Sequence, residues 1–234
     1  MITGYKHVRI LISLLKQYNI RHFVLSPGSR NISIVKSVED DPFFTCFSVV
    51  DERSAAYFAV GLSLEIKAPV AITCTSAQAT RNYIPGMTEA YYRKAPVLAI
   101  TTDYDENITG QLNMQSLRQM NMPSDAVNFA ADIPLIKDQN DEFLVTRRIN
   151  LALDALTRNG GGPAHLNIRI NQHWIKGEEK LETARKITRY LPLDTEWPQI
   201  GERKVLLVIG GHSPFSKLEK QSLEDFAKKY DVAI

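Results

Sequence analysis

The feature that most constrains this chain is a repeated alternation. Short apolar runs, HFVL (22 to 25), FFTCFSVV (43 to 50), VAITCTS (70 to 76) and VLAITT (97 to 102), are separated by stretches with helical patterning. Strands that follow one another this way at roughly thirty residues or fewer fit βαβ units, because two parallel strands need a crossover of a dozen or more residues between them. The first helix is read in TGYKHVRILISLLKQYN, where Val8, Ile10, Leu11, Leu14 and Leu15 recur at helical spacing and Thr3 is placed to cap. Further helices are expected from Ile32, near Glu52 and near Ala79. The predicted fold class is α/β, a parallel sheet flanked by helices on both faces.

Periodicity is lost from Asp103 to Asn140, a length beyond the usual structureless connection, so this segment is expected to carry part of a site or to hold short helices. Helical pattern resumes over 141 to 157, NGGGP breaks it, and AHLNIRI reads as a strand. The first domain is therefore predicted to span 1–175 and to close near Trp174. Residues 176–203, charged and holding two prolines, suit a linker. Over 204–234 a strand, a Gly turn, a helix and a strand begin a second α/β domain; with so few elements to bury a sheet on both faces, it is expected to be the front of a longer polypeptide.

Composition narrows the function. Hydrophobic residues at 44% suffice for a real core, and 28 basic against 26 acidic residues leave a net charge of +2 without a block of either sign. A nucleic-acid partner is not expected. Cys46 and Cys74 lie in apolar runs with no CxxC or His neighbour, so they read as buried reduced thiols and no metal site is predicted. Lys6 and Arg9 interrupt the N-terminal apolar positions, which fits an amphipathic helix and neither a signal peptide nor a membrane span; the expected location is cytoplasmic.

Three stretches could carry chemistry. In VVDERSAAYFAVG, Asp51 and Glu52 suit a helix start, whose free amides attract anions, and capping alone would explain them. The following helix is small and apolar around its circumference, however, so Glu52 is expected inside, where a carboxylate needs a partner or shares a proton. In SPGSRN, Gly28 permits a tight turn, Ser29 and Arg30 add donors, and an ordinary turn capped by Ser or Asn is the alternative. TSAQATRNYIPGMTEAYY opens at the C-terminal end of a strand, the edge where open α/β sheets bind ligands, and offers Thr75, Ser76, Gln78 and Asn82, again with helix capping as the alternative. All three leave the same edge of one sheet.

Taken together, SPGSRN, VDERSAAYFAVGL and CTSAQATRNYIPGMTEAYYRKAPVLAITTD resemble the N-terminal pyrimidine-binding domain of thiamine-diphosphate-dependent enzymes, within that family most closely the MenD-type synthases of menaquinone biosynthesis. These typically show SPGSR, DERSAAF-like and CTSGTA-like motifs; GGPAHLNIRI similarly resembles a family strand GPVHLNIPF. The resemblance implies a cofactor, thiamine diphosphate, with Pro27, Glu52, Thr75, Ser76, Gln78 and Asn82 beside it. It implies that Glu52 shares a proton with N1′ of the aminopyrimidine, so that the ring's amino nitrogen can take a proton from the reactive carbon. It further implies a 2-oxo acid donor that is decarboxylated, an acceptor bound near Ser29, Arg30 and Gln119, and a homodimer or homotetramer.

The sequence also departs from that pattern. Where an ADRP-like motif would carry an arginine, Tyr104 stands, followed by Asp105 and Glu106. A carboxylate-binding cation is lost there, with Arg81 as the substitute the sequence offers. Ala77 replaces the glycine of CTSGTA and adds bulk. No GDG motif is present, so Mg2+ and the diphosphate are expected to be bound by a domain absent from these residues, leaving this chain alone inactive. The leading expectation is the N-terminal part of a MenD-like carboligase, a transferase or lyase. The alternatives are a related 2-oxo-acid decarboxylase or synthase of another pathway, and a non-catalytic pyrimidine-domain binding module.

Overall fold

The structure, a computed structural model, describes residues 2–171, 177, 180–190, 197–201, 204–211 and 214–233. Its main sheet contains β1 (His22–Leu25), β2 (Thr45–Ser48), β3 (Val70–Cys74), β4 (Val97–Asp103), β5 (Phe129–Ile133) and β6 (Ala164–Arg169). The strand order is β2-β1-β3-β4-β6-β5, and every pairing is parallel. The helices of this region are α1 (Lys6–Gln17), α2 (Ile32–Glu39), α3 (Glu52–Ile66), α4 (Gln78–Arg93) and α5 (Gln139–Ala155).

Alternation along the strands builds two cores. Phe23, Leu25, Leu98, Ile100, Leu166 and Ile168 point to one face and pack with residues of α1, α2 and α5 such as Leu11, Ile34 and Ile149. Val24, Ile72, Val97 and Ala99 point to the other and pack with Ala55, Ala59, Tyr83 and Met87 of α3 and α4. The second layer is thin because its residues are small. A Cβ on Gly86 would lie 2.5 Å from the Cβ of Ala56, so glycine lets α3 and α4 approach closely.

Helices therefore cover both faces, as the alternation predicts. Strand β5 was not foreseen in the segment of lost periodicity: FAADI is short and rich in alanine, which gives little strand signal. Helix α1 starts at Lys6 with Tyr5 at its N-cap and no side-chain cap. Thr3 does not cap it; its hydroxyl instead accepts from the Tyr5 amide at 3.3 Å. Cys74 is buried, as expected, whereas Cys46 is only partly so, since β2 lies at the sheet edge.

The chain divides into two compact units, Met1–Thr188 and Arg189–Ile234. Part of the segment read as a linker belongs to the first. Arg9 Nη2 pairs with Glu182 at 2.5 Å, and the Ile187 amide donates to Asn150 Oδ1 at 2.7 Å. Trp174, where the sequence suggests the first domain closes, lies outside the described residues. In the second unit β7 (Val205–Leu206) pairs in parallel with β8 (Val232–Ala233), and α6 (Lys217–Lys229) starts with a capping box between Ser216 and Glu219.

Candidate active site

From β1 the chain passes to β2 on one side and from β2 to β3 on the other, so the crevice between the C-terminal ends of β1 and β3 is a topological switch point. The loops after both strands meet there. A Cβ on Gly28 would lie 2.7 Å from Thr75 Cβ, so only glycine permits the observed contact between the loops. Asn31, at the N-cap of α2, does not cap the helix with its side chain. Its Oδ1 accepts from the Gly28 amide at 2.8 Å and its Nδ2 donates to the Ser26 carbonyl at 3.1 Å, bracing the turn from within. Ser26 Oγ donates to the Val49 carbonyl at 2.8 Å, tying this loop to the segment that leads into α3.

At the start of α3, Asp51 caps the helix, accepting from the Ser54 amide at 2.7 Å. Glu52 is half-buried rather than enclosed, which corrects the expectation of full burial. The reason is that α3 is two-sided: Ala55, Ala56 and Ala59 face the sheet and α4, whereas Tyr57, Phe58 and Leu64 remain 47%, 42% and 39% exposed. Glu52 Oε2 accepts from Asn82 Nδ2 at 3.3 Å, so the first turns of α3 and α4 meet through two of the residues singled out in the sequence.

Neither Thr75 nor Ser76 caps α4. Its N-cap is Ala77, held at φ 61°, ψ −112°. That region suits glycine, and an alanine is strained there. The Ala77 amide donates to Gln119 Oε1 at 2.6 Å, and Gln119 Nε2 donates to the Thr102 carbonyl at 3.0 Å and to Asn167 Oδ1 at 2.9 Å. The Gln119 carboxamide is thus engaged inside the chain. The Ser76 hydroxyl is buried without a hydrogen-bond partner among the described residues. Pro27, Ser29 and Gln78 are exposed at the rim.

Arg30 and Tyr104 come together. The Arg30 guanidinium lies 3.5 Å from the centre of the Tyr104 ring, and Nη1 donates to the Ile170 carbonyl at 2.8 Å. Arg81 is exposed on α4 and donates through Nη2 to the Arg118 carbonyl at 3.2 Å, with no contact to Arg30.

With this geometry, the chain matches the family of thiamine pyrophosphate enzymes, N-terminal TPP binding domain, over residues 6–122. The chain belongs to that family. It is 35% identical to the 2-succinyl-5-enolpyruvyl-6-hydroxy-3-cyclohexene-1-carboxylate synthase of Phocaeicola vulgatus across 98% of this chain and 43% of the relative. The synthase of the same name from Desulfotalea psychrophila is 34% identical across 76% of this chain and 33% of the relative. The chain therefore spans well under half the length of these curated relatives. Among solved structures, benzoylformate decarboxylase from Polynucleobacter necessarius superposes with a TM-score of 0.61 at 21% identity, over 80% of this chain and 33% of that one, a likeness of fold.

Beneath the crevice of this TPP-binding domain lies a polar ladder. Thr101 and Asp103 on β4, Asp132 on β5 and His165, Asn167 and Arg169 on β6 occupy alternate positions of three adjacent strands, on the face that carries α3 and α4. Arg169 Nε donates to Asp132 Oδ1 at 2.8 Å, and Nη1 to Asp103 Oδ2 at 3.1 Å and to the Tyr104 carbonyl at 2.6 Å. Asn167 Nδ2 donates to Asp132 Oδ1 at 2.7 Å, and Thr101 Oγ1 and His165 Nε2 lie 2.8 Å apart. Burial raises the Asp103 carboxyl above its ordinary range against the opposing pull of Arg169. Burial likewise drives the His165 imidazole down to about 3, keeping it neutral. Sequence reasoning passed over all of these except Asp103, which served only as a segment boundary. The signal was nevertheless present, since AHLNIRI alternates strictly between apolar residues and His165, Asn167 and Arg169.

Proposed function

We propose that this chain is the N-terminal, pyrimidine-binding part of a MenD-like thiamine-diphosphate-dependent synthase, which decarboxylates a 2-oxo acid and transfers the resulting acyl unit to an acceptor. The observation that carries the reading is the Glu52 to Asn82 hydrogen bond of 3.3 Å at the switch point, where a carboxylate and an amide from two helix starts face one crevice. The residues suit an aminopyrimidine. Glu52 offers an acceptor that can hold or share a ring proton, and the unpartnered Ser76 hydroxyl offers a further hydrogen bond. Gly28 and Thr75 close one wall, with Pro27, Gln78 and Asn82 at its rim.

When bound, thiamine diphosphate supplies an electron sink for the carbanion left by decarboxylation. The chain's own part is to hold and move protons at the Glu52 carboxylate, to orient the ring through Ser76 and Asn82, and to present a cation to an acidic acceptor. Arg30 is that cation: it is buried and, among the described residues, has no carboxylate partner. Ser29 lies beside it at the rim, while Gln119 and Tyr104 shape the site from behind. Mg2+ and the diphosphate are assigned to parts of the protein outside this chain, which spans 43% of the length of the Phocaeicola vulgatus relative. The exposed Tyr57, Phe58 and Leu64 of α3, with Tyr92 of α4, suit burial against a second copy in a homodimer or homotetramer. No described helix is long and apolar enough to cross a membrane.

The test is an assay of the full-length protein with thiamine diphosphate, magnesium, 2-oxoglutarate and isochorismate. Consumption of both substrates is expected. Release of carbon dioxide independent of isochorismate would instead favour a decarboxylase or synthase of another pathway, a reading that rests on Tyr104 standing where the family pattern has arginine. An absence of any turnover with intact cofactor binding would favour a binding module.

A further inference from the structure

We propose that Arg169 is a positioning residue for Arg30, acting through Tyr104 and the end of β6; the functional consequence for anion binding rests on the reading of Arg30 given above. Asp103 and Arg169 are register partners on β4 and β6, so their side chains leave the sheet on one face. Arg169 is 1% exposed and anchored by two carboxylates, Asp103 and Asp132. Its charge is compensated, and it cannot itself serve as the free cation of the site. The same Nη1 that pairs with Asp103 also donates to the Tyr104 carbonyl at 2.6 Å, while the Tyr104 amide donates to Asp103 Oδ1 at 2.8 Å. The backbone of Tyr104 is thus held at both ends by one ion pair.

Arg30 rests on the two features this pair fixes. One is the Tyr104 ring, 3.5 Å from its guanidinium; the other is the Ile170 carbonyl, one residue beyond Arg169, at 2.8 Å. A flexible arginine in one loop is thereby oriented by a rigid strand end in another part of the chain. Beyond Tyr104, the same network runs through Asn167 and Gln119 to the Ala77 amide, joining the Arg30 wall of the crevice to the wall formed by the loop after β3.

The experiment follows the Arg30 Nε–Hε resonance by NMR in the isotopically labelled 234-residue chain, without ligand and during titration with succinate. In the unsubstituted chain the resonance is expected to be displaced by the ring current of Tyr104 and to move saturably with succinate. Arg169→Gln should remove the ring-current displacement and raise the succinate Kd about tenfold or more. Tyr104→Leu should remove the displacement too. Arg169→Lys keeps the charge but has no second nitrogen to hold Asp132 while another reaches Asp103 and the Tyr104 carbonyl, so it should act like Arg169→Gln, and it serves where the glutamine variant does not fold. An unmoved Arg30 resonance in either folded Arg169 variant overturns the proposal, whatever happens with succinate. Loss of succinate binding in Arg30→Gln is expected. If that variant instead binds succinate normally, the anion-binding role of Arg30 falls while the positioning by Arg169 is still decided by the ligand-free resonance.

Discussion

Asp103 and Arg169, sixty-six residues apart in sequence, are register partners on β4 and β6 and close an ion pair of 3.1 Å that is all but inaccessible to water. Asp132 completes the cluster from β5 at 2.8 Å. Arg169 is the only cation that holds these two carboxylates among the described residues. Its removal would leave charge buried without compensation, which costs far more than the intact cluster contributes.

Arg169→Met is accordingly expected to destabilise the chain by about 3 to 5 kcal/mol in urea denaturation. Adding Asp132→Asn, which removes one of the stranded charges, should recover part of that loss. Equal losses in the single and double variants would mean that the cluster is held by packing and not by charge.

Two buried histidines set an acid limit. Burial depresses His7 to about 4, helped by the charge of Arg9 and opposed by a hydrogen bond to the Arg169 carbonyl; His165 falls to about 3. Their folded values lie below the unfolded value of 6.5, so the unfolded chain binds more protons, and the stability they contribute is complete above 6.5 and is lost as pH falls through these folded values. The lowered carboxyls of Asp41 and Asp51 add their loss only below 3.8, while the raised Asp103 works in the opposite sense just above it. Comparing urea midpoints at about pH 7 and about pH 4.5, the drop should be smaller in His7→Gln than in the unsubstituted chain. An identical drop would exclude His7 from the acid response.

Ala77 is held at φ 61°, ψ −112° by its amide bond to Gln119 and by the start of α4. Ala77→Gly relieves a strain of about 1 to 3 kcal/mol, offset in part by the greater freedom of glycine in the unfolded chain. A net gain of about 1 kcal/mol is expected in chemical denaturation, and a loss would show that the alanine methyl contributes packing that outweighs the strain.

The parallel sheet, its helices and the three loops at one edge were legible in the sequence because each rests on local periodicity and on turn residues. What was not legible depends on pairing between distant strands. The charged and amide residues of β6 become a network only when β5 and β4 flank it, an order that runs against the order in sequence. Tyr104 reads as the loss of a cation along the chain, yet in the fold it is the surface on which Arg30 lies. Glu52 is less buried than the sequence implies for a related reason: the small residues of α3 point to enclosure on all sides, while only the alanine face meets the sheet and α4.

Glu52 makes one long hydrogen bond, 3.3 Å to Asn82, and is half-buried, so it contributes little to stability. Glu52→Gln should therefore shift the folding free energy by less than about 1 kcal/mol. Turnover of the full-length enzyme should nevertheless fall by about a hundredfold to ten-thousandfold, since an amide cannot share a proton as a carboxylate does. Near-normal turnover with a lowered melting temperature would reduce Glu52 to a structural role at the start of α3.

Binding of thiamine diphosphate by the 234-residue chain offers a separate check on the division of labour. On the proposed reading Glu52, Ser76 and Asn82 engage the aminopyrimidine, while the divalent cation that would anchor the diphosphate is held elsewhere in the protein. One ring held by a few hydrogen bonds must offset the entropy of fixing a flexible ligand, which limits affinity to about millimolar or weaker, near −4 kcal/mol. Calorimetric titration with thiamine diphosphate and magnesium should accordingly show heats that do not saturate at micromolar ligand. Arg30 is the one buried cation near the crevice without a carboxylate partner among the described residues, so it is where a missed diphosphate contact would lie. Micromolar affinity that vanishes in Arg30→Gln would move Arg30 from the acceptor side of the site to the cofactor's anionic end.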